Sequence, residues 1–221
     1  MDIVINIPCY DGLKNIGVNM KAVVVIGKNY QLNKADFEHC LVIGVDRGAL
    51  FCQKNGIIMD VAIGDFDSIT QEQLDRIQAT RVIKLNPIKD ETDTKEAIEL
   101  CRDYEEVTIL GGIGGKRIEH FYANLMLLEE YPNVKIKDDD SFIFTTDKSI
   151  TLKKNIYKFV SIFSLCDNTS ITLKGFKYPL NSYHMKRLDS IGISNEIVDG
   201  SAEIHLEQGR IMIILSKDDS L

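Results

Sequence analysis

The chain has 221 residues, 44% of them hydrophobic and 27% charged, with 26 Lys and Arg against 33 Asp and Glu for a formal net charge of -7. That supplies a proper core for one large domain or two modest ones and excludes a disordered or fibrous chain. The acidic balance argues against a nucleic-acid partner, whose affinity comes from clustered Lys and Arg, and no apolar run is long enough to span a bilayer.

Residues 1–19 carry Asp2, Asp11 and Lys14 and lack the basic start and apolar stretch of a secretory signal, so they read as an extension with little part in the fold. From residue 20 to 132, short β-branched runs alternate with helical stretches. The strands are expected at 22–26, 41–43, 61–63, 82–83 and 107–110, uninterrupted as in strands buried on both faces. Helices are expected at 48–55, at 71–79 behind a Ser68–Gln71 capping box, at 95–104, and at 118–130 with Phe121, Leu125 and Leu128 inward. This alternation predicts an α/β fold, a Rossmann-like, mostly parallel sheet in a three-layer α/β/α sandwich. After Tyr131-Pro132-Asn133 the rhythm becomes strand, turn, strand, at 142–144, 157–165, 170–173, 203–206 and 211–215, which predicts a smaller antiparallel β-sandwich over residues 133–221. The five cysteines, Cys9, Cys40, Cys52, Cys101 and Cys166, show neither zinc nor redox spacing and read as reduced thiols of a cytoplasmic protein.

The polar residues that stand out all follow strands, on the carboxyl edge where doubly wound sheets bind ligands. Asp46 ends the second strand. Gly64-Asp65-Phe66-Asp67-Ser68 follows the third, Asp90-Glu91-Thr92-Asp93 follows the fourth, and Gly111-Gly112-Ile113-Gly114-Gly115-Lys116-Arg117 follows the fifth. Carboxylates two apart on an extended segment point the same way, so Asp65 and Asp67 can share a divalent cation, with Asp93 as a third ligand and Asp90 and Asp46 in support. The plainer readings are an Asx turn at Asp65 and Asp67, a helix cap at Asp93 with Glu96, and a turn at Asp90. The glycines are neither a Walker loop nor Gly-x-Gly-x-x-Gly. Placed before a helix and followed by Arg117, they favour phosphate held by backbone N–H groups and a guanidinium. His120 either orients a substrate or ligand, or is a histidine on a helix start. Together these features describe an enzyme handling a nucleotide with Mg²⁺.

Taken in order, these segments, with Gly44-Val45-Asp46-Arg47-Gly48-Ala49 and Ala123-Asn124-Leu125, resemble the thiamine pyrophosphokinase family. Gly175-Phe176-Lys177-Tyr178-Pro179-Leu180 and Gly192-Ile193-Ser194-Asn195-Glu196 resemble its thiamine-contacting segments. The resemblance implies transfer of pyrophosphate from ATP to the thiamine hydroxyl, giving thiamine diphosphate and AMP, on a homodimer with active sites between subunits. On that likeness residues 20–132 carry ATP and Mg²⁺ and residues 133–221 carry thiamine. Asp65, Asp67, Asp90, Asp93 and Arg117 would be catalytic, and Asp46, Gly111, Gly112, Gly114, Arg117 and His120 would hold the nucleotide. Tyr178 would face the thiamine rings, and Ser194 and Asn195 would bond its aminopyrimidine. One departure is Glu119, where the family usually has Asp before His120. A pyrophosphokinase for a pterin-like alcohol, or a module binding Mg-nucleotide without turnover, would share the amino-terminal motifs.

Overall fold

The structure, a computed structural model, describes residues 20–27, 31 and 33–218; the expected extension at 1–19 lies outside them. Six strands, β1 (Lys21–Val25), β2 (Cys40–Val45), β3 (Met59–Gly64), β4 (Ala79–Lys84), β5 (Glu106–Leu110) and β6 (Val134–Lys137), pair in parallel in the order β6-β5-β1-β2-β3-β4. Helix α1 (Arg47–Lys54) joins β2 to β3 and α2 (Gln71–Asp75) joins β3 to β4. Helix α3 (Asp93–Glu99) then carries the chain back past β1 to β5, and α4 (Ile118–Glu130) leads to β6. The strand order therefore reverses between β1 and β5, a switch point whose carboxyl edge is open for a ligand.

Alternate side chains of each strand explain the three layers. Ala22 and Val24 pack with Ala97 and Ile98 of α3 and Leu127 and Leu128 of α4, while Val23 and Val25 pack with Ala49 and Cys52 of α1 on the opposite face. Gly48 makes the second contact possible. A Cβ there would collide with the Val25 carbonyl oxygen and lie 2.7 Å from its carbon, so only glycine lets α1 start directly over β1.

The carboxy-terminal half adds β7 (Ser141–Thr146), β8 (Ile150–Lys153), β9 (Phe159–Ser164), β10 (Thr169–Lys174), β11 (Leu180–Met185), β12 (Asn195–Glu196), β13 (Ser201–Gln208) and β14 (Ile211–Ser216). The sandwich is present, but one of its sheets is shared. β7 pairs antiparallel with β6, so the parallel sheet continues as β7-β14-β9-β12 into a single ten-stranded sheet. The second sheet, β11-β10-β13-β8, covers that extension around Ile162, Ile171, Leu173, Ile204 and Ile213.

Several local expectations are corrected. Thr70 and Gln73, not Ser68 and Gln71, make the capping box, and α2 stops at Asp75 because Ala79 already pairs with Met59. Thr92, not Asp93, caps α3 by accepting from Lys95 N, and α3 ends at Glu99. β4 is an edge strand with alternating exposure rather than a strand buried on both faces. Of the four cysteines described, Cys52 and Cys101 are buried and Cys40 and Cys166 partly so, all as free thiols.

Candidate active site

Three loops at the carboxyl edge bring carboxylates together. Asp46 sits on the elbow between β2 and α1 with φ 47° and ψ -117°, a conformation costly for a residue with a side chain. Its amide donates to Ile63 O at 3.0 Å and its Oδ1 accepts from Phe66 N at 3.3 Å, so the β2 and β3 loops are tied through this residue. Gly64 leaves room for it: a Cβ at that position would run into Asp46 Oδ1 and lie 2.8 Å from its Cγ. One carboxylate oxygen each of Asp46, Asp65 and Asp93 lies within 4.8 Å of the others.

This crowding has an electrostatic signature. Burial, then the Asp93 charge and those of Asp65 and Asp67, push the Asp46 carboxyl up to about 7 against the relief given by the Phe66 N–H. Lys89, on the loop between β4 and α3, answers the charge. Its Nζ is 2.9 Å from Asp93 Oδ1 and 3.9 Å from Asp65 Oδ2, with the side chain only 16% exposed. Burial opposes the ammonium, but contact with Asp93 and the fields of Asp65 and Asp46 outweigh it and hold Lys89 above its ordinary value. Beyond that ion pair, Asp93 Oδ1 is buried with no aligned hydrogen-bond donor among the described residues.

A spare buried carboxylate oxygen within a group of three is what a divalent cation would complete. Oxygens around a small octahedral ion sit about 2.1 Å from it and thus at most about 4.2 Å apart, a span close to the 4.8 Å within which these three lie. Asp67 lies outside the group. It is exposed, and its N–H bonds Asp65 Oδ1 at 3.0 Å in the Asx turn that aims Asp65. Asp90 is exposed on the loop before α3.

The glycine loop leaves β5 with Gly111, Gly112, Gly114 and Gly115 all at positive φ, between 68° and 95°. At Gly112 a Cβ would strike the Ile26 side chain, and buried Asn124 of α4 fastens the loop by donating to Gly112 O at 3.3 Å. Gly114 and Gly115 have open space beside them, as a backbone that must approach a ligand requires. Arg117 stands at the start of α4 with its side chain 72% exposed, and Nε donates to Glu119 Oε1 at 3.0 Å. His120 is half-exposed, with Nε2 3.9 Å from the same carboxylate. Glu119 thus engages both neighbours, and the Arg117 contact holds its carboxyl below the ordinary range.

At the far edge of the sheet, Asn195 clasps the Tyr178 backbone. Oδ1 accepts from Tyr178 N at 3.0 Å and Glu196 N at 3.0 Å, and Nδ2 donates to Tyr178 O at 2.8 Å. With 3% exposure, Asn195 is a clip whose amide is mostly committed, whereas Tyr178 is 57% exposed with Lys177 Nζ 5.7 Å from its ring centroid. Ser194 is exposed at φ 55°, its N–H donating to Ser161 Oγ at 3.0 Å. Seven strands separate β12 from β3. At about 4.8 Å per strand, the path across the sheet from the β12 edge to the carboxylate edge of one chain is on the order of 35–40 Å.

Sequence reasoning singled out Asp65, Asp67 and Asp93 with Asp46 in support, whereas the structure gathers Asp46, Asp65 and Asp93 and leaves Asp67 outside; the sequence did not point to Lys89 or the Asn195 clip. Lys89 carried a readable signal, a cation one residue before Asp90-x-x-Asp93.

Comparison with known proteins covers most of the chain. Residues 32–137 match the family model of the thiamin pyrophosphokinase catalytic domain, and residues 147–211 that of the thiamin pyrophosphokinase vitamin B1 binding domain. Thiamine pyrophosphokinase of Bacillus subtilis is 32% identical over 191 residues, 82% of this chain and 89% of that protein. Its crystal structure superposes with a TM-score of 0.80 at 29% identity over 90% of this chain and 99% of the other. The enzyme of Geobacillus thermodenitrificans gives 0.78 at 28% over 91% and 99%. Thiamin pyrophosphokinase from Candida albicans shares the fold, with a TM-score of 0.71 at 16% identity over 90% of each chain. The chain belongs to the thiamin pyrophosphokinase family.

Proposed function

We propose that the chain transfers the pyrophosphoryl group of ATP to the hydroxyl of thiamine, forming thiamine diphosphate and AMP, at a centre assembled from two copies. The observation that carries this reading is the convergence of Asp46, Asp65 and Asp93, from three separate loops, on the edge that also carries the glycine loop. Residues 20–132 act as the ATP-binding half and residues 133–221 as the thiamine-binding half.

Asp65, Asp93 and Asp46 would hold Mg²⁺, with Asp67 aiming Asp65 through its N–H and Asp90 at the rim. When bound, Mg²⁺ would neutralise the polyphosphate and orient it for displacement. The backbone N–H groups of Gly112 and Gly114 and the start of α4 receive phosphate oxygens, while the Gly111 N–H stays on Lys137 O at 2.9 Å and anchors the loop to β6, and Arg117 turns from Glu119 to the charge that grows on the departing AMP oxygen. His120 lies one helical turn further on, beside the nucleotide. The thiamine oxygen attacks the β-phosphorus in line, its bond forming as the bond to the α-phosphate oxygen breaks, and its proton leaves to solvent. Tyr178 offers its exposed ring to thiamine. Ser194 stands beside it, and Asn195 contributes chiefly by fixing the Tyr178 backbone.

In-line transfer needs reacting atoms about 3–3.5 Å apart, so a thiamine edge and an acidic edge set at opposite ends of one chain's ten-stranded sheet do not serve one another. This supports a homodimer in which the thiamine edge of one copy faces the acidic edge of the other. Free thiols support a cytoplasmic setting, and no helix among the described residues is long and apolar enough to cross a membrane. Incubation with ATP, Mg²⁺ and thiamine should yield AMP and thiamine diphosphate in equal amounts. AMP formed with a hydroxymethyl pterin but not with thiamine would overturn the substrate, and nucleotide binding without product would overturn the activity.

A further inference from the structure

We propose that Lys89 is a tethered counter-ion that occupies the carboxylate cluster until metal arrives and then moves onto the polyphosphate, so that metal and nucleotide bind cooperatively. The inference rests on the reading of Asp46, Asp65 and Asp93 as metal ligands.

Asp93 Oδ1 is buried, and its ion pair is with Lys89 Nζ at 2.9 Å; Asp65 Oδ2 is 3.9 Å from the same nitrogen. Two of the three carboxylates that converge are therefore bridged by one ammonium. A cation taking Asp93 and Asp65 must displace that ammonium, because two positive centres on the same oxygens repel at short range in a site partly shut off from water. Lys89 and Asp93 are also i and i+4 across the start of α3, so the displaced ammonium cannot leave the neighbourhood. Its four-carbon stem allows it to swing by several ångströms to a point charge newly placed beside the metal, and phosphate oxygens are the matching partner.

Two consequences follow for binding. Metal alone is opposed by the ammonium it evicts and gains nothing in return. Metal with nucleotide recovers that loss, because the ammonium acquires a phosphate. By linkage, nucleotide then strengthens metal binding and metal strengthens nucleotide binding by the same factor. Without Lys89 the carboxylates would be an open trap for free divalent ions, and that factor would shrink.

The test is binding of Mn²⁺, followed by electron paramagnetic resonance, to metal-free wild type, Lys89→Met and Asp93→Asn, with and without a nonhydrolysable ATP analogue. Melting of the chelated proteins serves as a second readout. Lys89→Met should bind Mn²⁺ alone about tenfold more tightly or better, since a positive charge within 4 Å of the ligand oxygens is gone. The analogue should raise its Mn²⁺ affinity by a smaller factor than in wild type, and the chelated variant should melt lower because three carboxylates face one another uncompensated. Lys89→Gln, closer to wild type in polarity, gives the same comparison if Lys89→Met does not fold. Mn²⁺ binding to the Lys89 variants that is unchanged or weaker, while Asp93→Asn weakens it, overturns the role of Lys89 and leaves the metal site standing. Mn²⁺ binding untouched by Asp93→Asn overturns the metal reading and this inference with it.

Discussion

Asp46→Asn should make the metal-free protein more stable at neutral pH while impairing what it does. The Asp46 carboxyl rises from an ordinary value of 3.8 to about 7 in the folded chain, through burial and the charge of Asp93. A carboxyl that holds its proton more tightly folded than unfolded favours the folded state at low pH. That advantage is full below about pH 4 and is lost as pH climbs through about 7. At full strength the loss is about 4 kcal/mol, and because Asp46 is partly open to water we halve it to about 2 kcal/mol. Asn has the same shape, keeps an oxygen for the Phe66 N–H and fits the space left by Gly64, but carries no charge. Thermal melting in a chelator should therefore show wild type losing stability from pH 4 to pH 8 while Asp46→Asn loses less. By pH 8 the variant should melt higher by roughly 4–8 °C for a chain of this size. It should also bind Mn²⁺ more weakly. Parallel pH profiles, or a variant less stable than wild type at pH 8, would refute the electrostatic account of the cluster.

Gly48→Ala drives a Cβ into the Val25 carbonyl, backbone that cannot yield, so α1 must lift from β1; about 2–4 kcal/mol of stability should be lost, and melting within a degree or two of wild type would contradict that packing. Arg210 donates to Glu129 O at 2.7 Å, Leu128 O at 2.6 Å and Thr145 Oγ1 at 2.9 Å, fastening the end of α4 to the sandwich. Arg210→Met should cost about 2–4 kcal/mol in urea unfolding, since helix-end carbonyls lose a charged donor; an unchanged midpoint would remove it from that role. Tyr178→Ala should raise the thiamine KM by about tenfold or more with little change in the ATP KM, and an unaltered thiamine KM would take the ring out of the site.

The core of the fold was legible because strands buried on both faces leave uninterrupted apolar runs, as in Ala22-Val23-Val24-Val25, and because polar residues directly after such runs mark the carboxyl edge. That logic placed Asp46, Asp65, Asp67, Asp93 and the glycines on one edge without coordinates, but it could not tell that Asp46 rather than Asp67 joins Asp65 and Asp93. It misjudged β4, whose alternating exposure reflects an edge position fixed only by the strand order. Caps were misassigned because Ser68 and Thr70, or Asp93 and Thr92, are equally good oxygen acceptors. The choice depends on where the preceding strand releases the chain. The single sheet joining both halves depends on β6 pairing with β5 on one side and β7 on the other, long-range contacts that periodicity does not encode. The separation of Tyr178 from the carboxylates follows from that same sheet and was equally out of reach.

The most direct test of the account is to mix two variants, Asp93→Asn and Tyr178→Ala, each at about a tenth of wild-type activity or less at thiamine concentrations far below the wild-type KM, after dissociating and reassociating the subunits. If one reaction centre is shared by two chains, half the reassembled dimers carry both lesions in one site and none in the other, and about a quarter of wild-type activity should return. A mixture as inactive as its components would show that each chain completes its own site, contrary to the arrangement proposed here.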